Sequence, residues 1–319
     1  MRAFAIFSIC ACLGSRAWAQ GPIETRNHRS TSLLFLRFDP RGRLLRAGQS
    51  ELSGALIISN DLRKLPNASA PALVEDQETA RLSVRYRQGF AWGEFEVEVP
   101  LLSRGGGILD PVMEWWHEHI IGVTNLRSQT PYGRSEVILP GSGRFGSAAG
   151  LGDITTQFSR SLTPAVDLSI GLKFPTGDAS RLLGSGAVDE GINLSYRHRV
   201  SSRLAISSQV GWVGQGRATR VANSRSDVHQ ESLSFVMTPN TRDAWTLQWQ
   251  GEASALVTGL PVSDETHRML SFGYSRKLNS RDHVQVFFSE DGDFLNYRVP
   301  ELVNIAPDFT LGLRWTRRF

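Results

Sequence analysis

Val166-Asp167-Leu168-Ser169-Ile170-Gly171-Leu172-Lys173-Phe174 alternates apolar and polar residues without a break, the period of a β-strand whose two faces meet different surroundings. Phe309-Thr310-Leu311-Gly312-Leu313-Arg314-Trp315 does the same near the end of the chain. The pattern recurs at Leu52, Leu56, Ile58; Leu82, Val84, Tyr86; Phe95, Val97, Val99; Ile154, Thr156, Phe158; Ile192, Leu194, Tyr196; and Leu204, Ile206, Val210, Trp212. It continues at Leu233, Phe235, Met237; Trp245, Leu247, Trp249; Leu270, Phe272, Tyr274; and Val284, Val286, Phe288. The segments number about twelve, and a closed bacterial barrel needs an even number.

The apolar set holds no charged residue. The alternate set holds Arg81, Arg85, Arg87, Glu94, Glu96, Glu98, Asp167, Lys173, Arg197, Glu252, His283 and Arg314. A charge facing lipid at mid-bilayer costs about 2 to 4 kcal/mol, so this segregation fits a wall with hydrocarbon outside and a polar lumen inside. Folding residues 81–100 about Phe90 and Ala91 opposes Tyr86 to Phe95, Val84 to Val97 and Leu82 to Val99 on the apolar face. On the other face it sets Arg87 against Glu94 and Arg85 against Glu96. The short links near 88–92, 160–164, 198–203, 238–243 and 276–283 alternate with long ones near 59–79, 100–151, 175–190, 214–230, 258–267 and 290–307. Short periplasmic turns and long outer loops are the mark of outer-membrane barrels. Aromatics at the short-turn ends (Tyr86, Phe95, Phe158, Tyr196, Trp245, Tyr274) suit an interfacial girdle. The expected fold is therefore all-β: a closed antiparallel transmembrane β-barrel of about 12 strands with a short helix in one long loop.

The composition agrees. Of the 319 residues, 40% are hydrophobic and 21% charged, too apolar for a disordered chain. The formal charge is only +4, with acids interspersed, which argues against a nucleic-acid partner. Arg2, the apolar run to Leu13 and Ala17-Trp18-Ala19 read as a signal peptide over residues 1–19, which carries both cysteines, Cys10 and Cys12. Residues 20–50 are expected to form an N-terminal periplasmic or lumen-inserted segment and residues 51–319 the barrel. In that scheme Leu33-Leu34-Phe35-Leu36, which looks like a strand, stays outside the wall. Phe319 ends an alternating strand, resembling the signal read by the outer-membrane assembly machinery. That machinery, outer-membrane lipid and lipopolysaccharide are the expected partners, in a Gram-negative outer membrane reached through a cleaved signal peptide.

Phe95-Glu96-Val97-Glu98-Val99-Pro100, Gly105-Gly106-Gly107-Ile108-Leu109-Asp110, Trp115-Trp116-His117, Tyr132-Gly133-Arg134, Gly150-Leu151-Gly152-Asp153 and Phe174-Pro175-Thr176-Gly177-Asp178 follow one another in a characteristic order. In that order, and in Gly21-Pro22-Ile23-Glu24-Thr25-Arg26-Asn27, the chain resembles the Gram-negative exported family catalogued as domain of unknown function 3187. It has His28 where that family tends to have Gln. The resemblance implies fold and location and brings no mechanism.

Candidate chemistry is sparse. Asp153 and Asp178 fit turns, where Gly frees the backbone and Asp accepts local amides; the sharper alternative is a calcium or substrate site at the rim. Asp110 to Ile121 suits a short helix with Asp110 as N-cap and Pro111 in the first turn, with Met113, Trp116 and Ile120 on one side, lying at the membrane surface or over the mouth. His117 and His119, two apart, fall on different sides of such a helix, against metal binding. No nucleophile elbow, zinc helix or triad spacing marks Ser271, Ser289, His229 or His283, so neither catalysis nor a cofactor is expected. A barrel hydrolase and a structural barrel with a plugged lumen remain the alternatives. The lumen ladder Arg81, Arg85, Arg87, Glu94, Glu96 and Glu98 is expected to neutralise itself. Arg197, Arg314 and Lys173, without visible acidic partners, point to weak anion preference in a narrow pore for a small solute. Such a pore would be gated by the loop Leu101 to Gly150 or by the N-terminal segment.

Overall fold

The alternating segments become strands in the computed structural model, which describes residues 21–64, 73–122, 131–291 and 309–319. The strands are β1 (Ser50–Lys64), β2 (Val74–Phe90), β3 (Gly93–Gly105), β4 (Glu136–Leu139), β5 (Gly143–Phe145), β6 (Ala148–Leu151), β7 (Ile154–Ser161) and β8 (Val166–Phe174). They continue with β9 (Asp189–Arg199), β10 (Leu204–Gly214), β11 (Asp227–Met237), β12 (Asp243–Glu252), β13 (His267–Lys277), β14 (Asp282–Asp291) and β15 (Phe309–Arg318). β1 to β3 and β7 to β15 form an antiparallel ring of twelve, closed where β1 meets β15 from Glu51↔Arg318 to Asn60↔Phe309. Closure leaves no free edge in the wall, the condition for β-structure in lipid. Phe319 extends that seam, its N–H donating to the Ser50 carbonyl at 2.8 Å.

Period two places the side chains. Leu56, Val84, Tyr86, Ile170, Leu194, Trp212, Phe272 and Leu313 stand exposed on the outer face, while the intervening polar residues, including Arg81, Arg85, Glu94, Glu98, Asp167, Lys173 and Arg314, are buried inside. Trp245 and Tyr274, ring centroids 4.7 Å apart, and Trp92 and Phe158, 5.1 Å apart, cluster at the short-turn end.

The β2–β3 hairpin corrects the expected register. Tyr86 opposes Val97, Val84 opposes Val99, Arg87 opposes Glu96 and Arg85 opposes Glu98, a shift of two residues that makes Ala91 and Trp92 the turn. A slip of two keeps every side chain on its face, so hydrophobic pattern alone could not separate the two registers. Arg87 still reaches Glu94 at 2.9 Å, now as a diagonal neighbour.

The long connection after β3 raises the wall. β4 pairs with the outer end of β2 and β6 with that of β3. Helix α1 (Asp110–Trp116) continues as a wider π-helical turn through His117–Ile121, and it lies against the outside of the barrel rather than over its mouth. Leu109 and Met113 pack with Trp116 onto Ile58, Leu62, Phe288 and Phe309. Ile120, expected beside Met113, is exposed instead, because the wider turn rotates it away. Asp110 is the first helical residue and not the N-cap, which is Leu109. Its carboxylate accepts from Asn60 Nδ2 and from the Gly133 N–H, each at 2.8 Å. The outward-facing Glu78 also accepts from the N–H groups of Ile108 and Leu109 at 2.9 and 2.8 Å. Polar positions at the outer end of the wall thus clamp the helix.

Candidate functional site

Residues 21–45 fill the lumen. The segment rises from the short-turn end, turns through a 3₁₀ helix at Ser32–Leu34 and descends to β1. Leu33-Leu34-Phe35-Leu36 is therefore a turn and not a strand. Its two limbs touch near their base, where a Cβ on Gly21 would lie 2.9 Å from Gly42 Cα. At the tip, Leu34 and Phe35 join Leu73, Val137, Phe145, Leu182 and Leu256 in an apolar cluster that roofs the outer mouth.

A buried backbone must find hydrogen-bond partners, and inward glutamines supply them. Gln248 accepts from the Ile23 N–H and donates to the Ile23 carbonyl, both at 2.9 Å. Gln230 accepts from the Phe38 N–H at 3.0 Å, and Gln209 and Gln230 donate to its carbonyl at 2.8 and 2.6 Å. Asp189 accepts from the Leu36 N–H at 2.8 Å. Inward glycines make the room. Gly171 and Gly191 face each other across β8 and β9, and a Cβ on either would meet the Phe38 ring, at 3.0 and 2.8 Å. Gly273 leaves space for Ile23, whose side chain would lie 2.8 Å from an added Cβ.

Charge does the rest. The ladder Arg81, Arg85, Arg87, Glu94, Glu96 and Glu98 lies inside the barrel, and the N-terminal segment threads into it. Arg85 donates to Glu98 at 2.9 Å and to Glu24 at 2.8 Å and pairs with Asp39. Arg81 pairs with Glu98. Arg26 binds Asp39 at 2.7 Å and Glu98 at 3.4 Å. Arg41 reaches Glu96 at 3.1 Å and Glu94 at 3.3 Å, Arg37 reaches Glu252 at 3.0 Å, and Arg29 pairs with Glu75. Burial by itself would raise the Asp39 carboxyl, but Arg26 and Arg85 hold it well below the usual carboxylate range. Burial pushes the imidazole of His28 well below its usual value, and Arg81 and Arg26 push it further. His28 Nε2 meets Thr25 Oγ1 at 3.3 Å, and its Nδ1 has no hydrogen-bond partner among the described residues.

The remaining cations correct the expectation of unpaired positive charge. Lys173 donates to Asp153 at 2.7 Å and lies 3.5 Å from Asp189, Arg197 lies 2.6 Å from Asp167, and Arg314 lies 3.3 Å from Glu24. These acids sit on neighbouring strands, in loops or in the segment, so spacing along one strand did not reveal them. Asp153 also accepts from the Gly177 and Ser185 N–H groups, and Asp178 from the Ser180 N–H, which is turn chemistry. His117 Nδ1 and His119 Nδ1 each sit 2.9 Å from the carbonyl four residues back. Ser271 Oγ meets Ser289 Oγ at 2.6 Å. Among the described residues no cluster of His, Cys, Asp or Glu is placed to hold a metal. The signal peptide expected over residues 1–19 lies outside the described residues.

Two small gaps, each with room for about one water, flank the segment and share Arg26 and Arg37 in their walls. The inward glutamines and glycines are the site residues that sequence reasoning missed. Their signal was available: they occupy the polar positions of the same alternation that exposed the charges.

Residues 19–318 match the family described as Protein of unknown function (DUF3187). No curated protein matches the chain. Among solved structures, the COG4313 outer membrane channel from Pseudomonas putida F1 is similar over 89% of this chain and 100% of its own, with a TM-score of 0.57 and 12% identity. The toluene transporter TodX of P. putida is similar over 85% of this chain and 90% of its own, at a TM-score of 0.45 and 10% identity. The toluene transporter TbuX of Ralstonia pickettii covers 86% and 90% at 0.43, also with 10% identity. At such identities only the fold is shared, and it is that of an outer-membrane channel.

Proposed function

Since the chain belongs to that family of proteins of unknown function, we propose from its geometry that it is an outer-membrane passage for a small solute, closed at rest by residues 21–45. The observation that carries this reading is how the segment is held. Apart from the apolar tip and the Phe38 and Ile23 sockets, its contacts are hydrogen bonds and ion pairs to the lumen wall. Such contacts can be exchanged for water or a polar solute, whereas an apolar plug would have to expose hydrocarbon to leave. The segment continues into the wall at Ser50, at the short-turn end, so it can withdraw toward the periplasm without breaking the barrel. Insertion by the assembly machinery, with Phe319 as its signal, and contact with lipopolysaccharide belong to the same reading.

A permanently filled structural barrel is the second reading, favoured by the density of buried ion pairs. Single-channel recording of the full chain decides between the two. A gated passage gives infrequent openings, and Arg37→Ala with Arg41→Ala, which removes two of the anchors, makes them more frequent. Absence of current in both proteins, each shown to be a folded barrel, would remove the passage.

A further inference from the structure

We infer that the open passage selects cations, and that the arginines of residues 21–45 stand where a guanidinium- or amine-bearing solute would be held. The inference rests on the passage proposed above and names its substrate class.

Residues 21–45 bury Arg26, Arg29, Arg37 and Arg41 against Glu24 and Asp39, so their withdrawal takes a net two positive charges out of the lumen. The carboxylates that held those arginines stay on the wall. Glu252 is left with His267, whose Nδ1 lies 3.3 Å from it, in place of Arg37. On β1 to β3, Glu51, Glu75, Glu94, Glu96 and Glu98 remain against Arg81, Arg85, Arg87 and the Arg318 of β15 that pairs with Glu51 at the rim, five acids to four bases. Higher in the lumen Lys173 remains between Asp153 and Asp189. The counterweights are Arg314, which loses Glu24, and Arg104, whose guanidinium is already occupied by the Gly146, Arg181 and Leu182 carbonyls near the outer mouth. The carboxylates that held the segment's arginines, Glu75, Glu94, Glu96, Glu98 and Glu252, are therefore left facing the opened lumen.

The wall acids are also shaped for their present occupants. Glu252 meets Nε of Arg37 at 3.0 Å, and Glu94 and Glu96 bracket one guanidinium nitrogen of Arg41, while Ser169 accepts from the other at 2.8 Å. Carboxylate and hydroxyl acceptors converging on a planar cation are a recognition site for that cation. Rings of carboxylates select cations in channels for the same reason.

The test is the reversal potential across a potassium chloride gradient, measured on the full chain carrying Gly171→Val, which crowds Phe38, and independently on voltage-induced openings of the unaltered chain. Cations are expected to be favoured severalfold, with guanidinium permeating at least as well as potassium. Glu252→Gln on the same background moves the ratio toward parity. Current with no preference, or with anion preference, overturns the inference and leaves the passage standing. No current from either protein removes the passage and the inference with it.

Discussion

Replacing Gly171 by valine is expected to unseat the N-terminal segment while sparing the wall. A Cβ at Gly171 would lie 3.0 and 3.1 Å from Cε1 and Cζ of Phe38 and 3.3 Å from Cδ2 of Leu36, all of them atoms of the segment. Gly191 is the poorer choice, because a Cβ there also meets the Trp212 carbonyl at 2.9 Å and would strain the strand ladder. Valine suits a strand better than glycine does, so the barrel itself loses nothing. Overpacking a filled site costs about 1 to 3 kcal/mol, which at about 1.4 kcal/mol per tenfold raises the unseated population about 5- to 150-fold. Open probability in planar bilayers reads that ratio, with heat-modifiable gel migration as the control for a folded barrel. Phe38→Ala supplies the cross-check: once the ring is gone, Gly171→Val adds little, and the two substitutions fail to add. A folded Gly171→Val barrel with unchanged openings, or full additivity with Phe38→Ala, would refute the glycine socket.

Arg37→Ala leaves Glu252 buried with His267 alone, and breaking a buried pair costs about 3 to 5 kcal/mol; trypsin is expected to cut the intact variant at Arg26 and Arg29 far faster than the unaltered protein. Acid is expected to open the passage. His28 is neutral when seated, its pKa depressed by burial, Arg81 and Arg26 despite the opposing pull of Asp39 and Glu98, and a released His28 takes up a proton below about pH 6.5. Seating is thus favoured above that pH, and openings rise by up to about tenfold per pH unit as pH falls below it. A His28→Gln profile as steep as that of the unaltered chain would dismiss the ring as the cause. Asp110→Ala removes the acceptor for Asn60 and Gly133, at about 1 to 3 kcal/mol, and is expected to release α1 from the outer wall. Brominated lipid would then quench Trp116 more strongly, and unchanged quenching counts against the clamp.

Much of this was legible in the order of residues. Alternation located the wall strands, because lipid penalises a misplaced charge at every outward position. The alternation of short and long links separated the two ends of the barrel, because in an antiparallel ring successive connections fall at opposite ends. The charges Arg81 to Glu98, Asp167, Lys173, Arg197 and Arg314 fell on the inner face for the same reason. The hairpin register was not legible, since a shift of two residues preserves both faces. Nor was the course of α1 along the outer wall, which depends on Asn60 and Glu78 lying at the level of Asp110 only once β1 and β2 are paired.

The partners inside the lumen belong to tertiary structure alone. Arg37 finds Glu252 across 215 positions of chain, and Ile23 finds Gln248 across 225. A local pattern reports which face a residue occupies, and lipid solvation makes that report reliable. It carries no record of what stands opposite across a closed ring, and so the apparent surplus of wall arginine and lysine became, once the barrel closed around residues 21–45, a set of neutralised pairs.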